Sequence, residues 1–150
     1  MKRALLPTAF AVLLTLTGGA CAQSVSFGDD SGDYTFDGEC DDRRFFGPGT
    51  AIDIDSENIG RDATDCQRGF EAGNVFLWNE AEAALATSCG AIDFGNNSSD
   101  YADDNACDDP RFEGLGTAAT LLDEDRGRDA ADCARLCTLG ALFLRDYQSY

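Results

Sequence analysis

The sequence predicts an α+β fold, a small disulfide-stabilised tandem repeat of two similar modules. Three observations lead there. The chain lies on itself without a gap at an offset of 67 residues, its cysteines recur at matching positions under that shift, and short apolar runs alternate with helical patterns in a background rich in Gly and Asp. The predicted organisation is residues 1–22 as a signal peptide, 23–78 as the first acidic module, 79–91 as a linker helix and 92–150 as the second module.

Lys2 and Arg3 precede a mostly apolar stretch, Ala4–Leu16, and Ala20-Cys21-Ala22 supplies an A-x-A site before Gln23. This is the layout of a secretory leader, and its apolar run is too short to span a bilayer. Cys21 offers a second processing route, as the lipid-anchored first residue of a lipoprotein, although Gly18 stands where a Leu is usual. The expected location is therefore outside the cytoplasm, periplasmic or extracellular.

Within each module the elements follow the repeat. Val25-Ser26-Phe27 and Ile92-Asp93-Phe94 read as short entering strands, followed by an acidic loop running to about Asp42 or Asp109. Asp62 and Asp129, each after Gly-Arg, read as N-caps of helices. Val75-Phe76-Leu77 and Leu142-Phe143-Leu144 suit either strands or helix continuations, since short apolar runs do not decide between them. Asn79–Thr87, rich in Ala and Glu, reads as a helix between the copies. The recurring Tyr34/Tyr101 and Phe45/Phe112 are expected in the core, and Trp78, whose counterpart is Arg145, at the contact between modules.

The duplication fixes the disulfide plan. Cys40 pairs with Cys66 and Cys107 with Cys133, because both separations equal 26 residues. Cys89 and Cys137 correspond to Ala22 and Phe70, so both are missing together from the first copy and bond to each other. Six cysteines allow about 15 connectivities, and the repeat selects one. Such bonds persist in an oxidising compartment.

The chain has 28 acidic residues against 11 basic ones, a net charge of −17, and no His. Without residues 1–22, which hold Lys2 and Arg3 and no acid, nine Arg face the same 28 acids and the charge is −19 over 128 residues. Nucleic acid and anionic membranes are excluded as partners for such a surface, while cations or basic proteins suit it. An enzyme is not expected. Triads that need His are impossible, the cysteines are used in disulfides, and no phosphate-cradling loop is present. A small carboxylate-based hydrolase is the remaining catalytic option, carried only by paired acids.

Each copy carries acids at the same places: Asp33, Asp37, Asp41 and Asp42, then Asp100, Asp104, Asp108 and Asp109. Hard oxygen ligands on a Gly-rich loop suit Ca2+. The pattern is not an EF-hand, because Thr35 and Arg44 occupy the third and twelfth positions counted from Asp33. Two carboxylates about 6 Å apart repel by roughly 3 kcal/mol at an effective dielectric of about 20. A converging cluster therefore needs a cation or a protein counter-charge. Arg44 and Arg111, or Arg61 and Arg128, are the candidates for that structural latch. Two readings stay open, an exported binding or structural module that takes calcium in adhesion or assembly, and a purely structural Arg-latched domain without metal.

The strings Asp37-Gly38-Glu39-Cys40-Asp41-Asp42 and Cys107-Asp108-Asp109-Pro110-Arg111-Phe112 resemble an acidic D-G-E-C-D-D-P-R-F module of secreted bacterial proteins, present here as two tandem copies. The resemblance implies an exported setting, at times beside peptidase-like domains, and no particular activity. The first copy departs from it at Arg43 and the second at Asn105 and Ala106, so a ligand role for Glu39 does not extend to the second copy.

Overall fold

The computed structural model describes residues 24–149; the predicted leader, residues 1–22, and with it Cys21 lie outside them. It is an α+β fold of three helices and several small sheets closed by three disulfides. Strand β1 (Cys40–Asp42) pairs in parallel with β3 (Thr50–Asp55), and β2 (Phe45–Phe46) pairs antiparallel with β4 (Phe76–Leu77). Helix α1 (Ala63–Ala72) lies between β3 and β4. Helix α2 (Glu80–Ala86) leads into the second copy, where β5 (Phe112–Glu113), β6 (Thr120–Leu121), helix α3 (Ala130–Thr138) and β7 (Phe143–Leu144) follow.

Positions 67 residues apart make matching strand pairings. Phe45 faces Leu77 and Phe112 faces Leu144, the same pairing displaced by the repeat offset. The parallel pair Cys40–Thr50 recurs as the bridge Cys107–Thr117. The bonds Cys40–Cys66, Cys107–Cys133 and Cys89–Cys137 form as the duplication dictates, the first two joining the start of the acidic loop's strand to the first turn of the helix.

The apolar pattern explains what is buried. Phe45 and Phe112 are fully buried beside their cystines, and Phe27 and Phe94 stack on them at 5.5 and 5.4 Å. Residues 25–27 and 92–94, expected as strands, have no strand partner, because this stacking and the approach to Gly60 and Gly127 hold them instead. Tyr34 and Tyr101, expected inside, are 58% and 53% exposed on the acidic loop. The loop threads past the turn before each helix: Asp29 N–H donates to the Gly60 carbonyl and Asn96 N–H to that of Gly127. Gly28, at φ +90°, comes so near that a Cβ there would lie 1.9 Å from the Gly60 oxygen. The Ala/Glu stretch forms α2, capped by Asn79, which accepts from Glu82 N–H. The helix ends at Ala86, and Cys89–Ala91 form a separate 3-10 turn.

The copies meet about a pseudo-twofold axis. β3 pairs antiparallel with β6, and the partners Ile54 and Leu121 are equivalent positions of the repeat. Around that axis Phe46 of the first copy packs in the core of the second, 5.2 Å from Tyr147, and Trp78 Nε1 donates to the Leu144 carbonyl. Glu113 accepts from Arg43 (3.1 and 2.9 Å) and from Arg145 (2.8 Å), and Arg145 also donates to the carbonyls of Arg43 and Phe45. Among the described residues no helix is long and apolar enough to cross a membrane.

Candidate cation sites in the acidic loops

The recurring acids separate into two kinds. Asp42 and Asp109 are saturated. Asp42, fully buried at its side chain, accepts from the Arg44 backbone and guanidinium (2.5–3.0 Å) and from Gly60 N–H (2.6 Å). Asp109 does the same with Arg111 and Gly127. The guanidinium of each Arg also lies over the neighbouring Phe ring, at 5.6 and 5.5 Å. These two carboxylates serve as latches that tie the loop to the turn before the helix. Arg61 and Arg128, the other candidate latches, hold no carboxylate: they grip the hydroxyl and carbonyl of Ser31 and Ser98 and the carbonyls of Glu57 and Glu124.

Asp41 and Asp108 are the opposite case. Each is only 6% exposed, and one carboxylate oxygen of each, Oδ2, is buried with no hydrogen-bond partner. Facing them stand Asp62 and Asp129, expected as helix caps. Both occupy the N-cap position, but neither side chain caps its helix. Asp62 Oδ2 instead accepts from Asp41 N–H and Asp129 Oδ2 from Asp108 N–H, each at 2.9 Å, while their Oδ1 atoms are buried and orphaned. The helix N-terminus is served from afar. Asp30 accepts from Thr64 N–H and Oγ1, and Asn97 from Ala131 N–H. Asp65 and Asp132 accept from Gly38 and Asn105 N–H and from Arg68 and Arg135.

An unpartnered buried carboxylate resists ionisation. Burial pushes Asp41 up to about 7, reinforced by the charges of Asp37, Asp62, Glu39 and Asp65. Asp108 rises to about 6, first through burial and then through Asp104, Asp129, Asp125 and Asp132. Asp62 and Asp129 are raised too, again chiefly by burial, with the backbone N–H of their partners pulling the other way. Each copy thus holds two facing carboxylates that attract either a proton or a cation.

The remaining candidates, Asp33, Asp37, Asp100 and Asp104, are exposed on the loop, and Asp37 and Asp104 close local turns onto the N–H of Glu39 and Ala106. The buried disulfides lie beside the pairs: ligand atoms of Cys40, Asp62 and Cys66, and of Cys107, Asp129 and Cys133, fall within 4.8 Å of one another. These groups can hold a metal ion only when the bond is reduced, since the thiolate is the ligand and a cystine sulfur carries no such charge. With the disulfides formed, the carboxylate oxygens are the donors available. No protein family, curated protein or solved structure matches the chain.

Proposed function

We propose that this protein is an exported binding module, related to the acidic module it resembles, in which each copy takes one calcium ion at its buried aspartate pair, Asp41 with Asp62 and Asp108 with Asp129, in the service of adhesion or assembly. The observation that carries the reading is the set of four buried carboxylate oxygens without a donor, at equivalent places in both copies. Buried polar groups are nearly always satisfied, and a repeated exception on oxygen-only ligands is what a hard cation would satisfy. Asp37 and Asp104, four residues earlier in the loop, are the acids whose charge bears most on Asp41 and Asp108. A site with two committed carboxylates and few other fixed oxygens suits the weak end of calcium affinity, in the range of roughly 0.1 to 1 mM typical of extracellular modules.

The competing structural reading is favoured at Asp42 and Asp109, whose Arg latches leave no room for a metal ligand role. Both readings hold in one molecule, with the latch shaping the loop and the neighbouring pair taking the ion.

Calorimetric titration of the oxidised protein with calcium tests this. Two weak sites are expected, with one lost in Asp62→Asn, one lost in Asp129→Asn and both lost in the double variant. Absence of heat at about 5 mM calcium, together with thermal unfolding indifferent to EDTA, rejects the metal.

A further inference from the structure

The acidic loop of the first copy borders a cavity of about 550 Å³, far larger than an ion needs. Asp33, Asp37, Glu39 and Asp41 form the wall on the loop side. Asp53, Asp55 and Glu57 line the opposite side, on β3 and the turn after it, and no basic residue lines the cavity. Its apolar surface comes from Ile52, Ile54 and Leu122, and Tyr34 stands at its edge, 58% exposed. Asp41, more than nine-tenths buried, also lines this space.

Three of these acids belong to the first copy alone. The positions equivalent to Glu39, Asp53 and Asp55 hold Ala106, Thr120 and Leu122. The aspartate pairs and Arg latches, by contrast, are shared by both copies. These three acids are therefore not part of the shared pair and latch, although Asp53 accepts from Asp123 N–H and Asp55 from Thr120 Oγ1 where the copies meet. Each module carries 13 acids, so what sets the first copy apart is their placement around one cavity, not their number.

We propose that this cavity receives an arginine- or lysine-bearing segment of a basic protein partner. A basic side chain matches each part of the lining. Its charged head meets the carboxylates, its aliphatic stem lies along Ile52, Ile54 and Leu122, and the ring of Tyr34 offers a face to a cation. A metal ion would use neither the apolar surface nor the volume. Rim carboxylates also steer a cationic partner toward the site, which the chain's net charge of −17 reinforces. The proposal shares Asp41 with the calcium site but rests on Glu39, Asp53 and Asp55, whose positions in the second copy hold no acid although that copy keeps its aspartate pair.

The probe is a fluorescein-labelled hexa-arginine peptide, followed by anisotropy on the oxidised full chain in 150 mM salt, with EDTA and again with calcium. The variant Glu39→Gln/Asp53→Asn removes two cavity charges and keeps the oxygen of residue 53 that accepts from Asp123 N–H. It is expected to weaken binding by about tenfold or more. The charge-matched variant Asp100→Asn/Asp104→Asn in the second copy is expected to change it by less than about twofold, and Ile52→Ser to weaken it with no change of charge. Equal losses from the two double variants would reduce the effect to general attraction and overturn the proposal, as would no binding by the unaltered chain. Neither double variant touches Asp62 or Asp129. Calcium heat lost everywhere with peptide binding intact would therefore sink the metal alone.

Discussion

Raising the pH should weaken the metal-free protein across the neutral range, an unusual direction for so acidic a chain with no His. Both Asp41 and Asp108 bind their proton more tightly folded than unfolded, Asp41 at about 7 and Asp108 at about 6. A carboxyl with a raised folded pKa contributes stability that is complete below its unfolded value, about 4, and is lost as the pH climbs through the folded one. The loss therefore runs from about pH 4 to about pH 7. At about 1.4 kcal/mol per tenfold change in proton affinity, the part of the loss that falls above pH 5 is about 3 kcal/mol for Asp41 and about 1.4 kcal/mol for Asp108. Water at the exposed rim, where Asp37, Glu39 and Asp104 sit, screens part of this, and about half, near 2 kcal/mol in total, is the expected loss. In urea, with a slope of about 1.5 kcal/mol per molar, the midpoint should fall by about 1.4 M between pH 5 and 8 in EDTA. Trp78, in contact with the second copy through Leu144, reports the transition by fluorescence. Calcium at about ten times its dissociation constant should restore about 1.4 kcal/mol per site at pH 8 and nothing at pH 5, where protons hold the sites. A midpoint in EDTA that is flat or rises from pH 5 to 8 would refute the account of the paired aspartates.

Two further outcomes concern the frame around the sites. Glu113→Ala leaves Arg43 and Arg145 buried without their carboxylate, and Arg145 already sits at about 10, lowered chiefly by its burial; a loss of about 3–5 kcal/mol in urea unfolding is expected. Gly28→Ala should cost more than about 3 kcal/mol, because its Cβ would lie 1.9 Å from the Gly60 oxygen, whereas Gly38→Ala, also at positive φ but with nothing within 4 Å, should cost about 1 kcal/mol in thermal unfolding.

The covalent frame was legible because the duplication supplies its own control. Equal separations and a jointly missing pair are statements about three dimensions made in one. The helix Glu80–Ala86 and the buried Phe45 and Phe112 followed from local composition and the repeat. The exposed Tyr34 and Tyr101 show the limit of that control, since recurrence marks whatever two copies share, surface included. The part played by Asp62 was hidden for another reason. Gly-Arg-Asp before a helical pattern does place an N-cap, but Asp30, 34 residues away, serves the first turn and frees Asp62 to face Asp41. Nothing local in the sequence announces a cap delivered across the fold.

The places where the copies differ carry as much information as those where they agree. Arg43, Glu113 and Arg145 correspond to Pro110, Phe46 and Trp78, so each member of the buried ionic triad is apolar in the other copy. About the axis through Ile54 and Leu121, position 43 of one copy meets position 46 of the other. One such crossing is the ion pair Arg43–Glu113, and the reciprocal positions hold the apolar Phe46 and Pro110. Two identical copies would have to build the same crossing twice, doubling the burial of charge or forgoing it. Divergence lets the chain build it once and fill the other side with Phe46 against Tyr147. Buried charges tolerate few alternative arrangements, so this asymmetry favours closure of each chain on itself over pairing between chains. It also leaves the first copy free to place acids around its cavity while the second supplies Thr120 and Leu122 to the same wall.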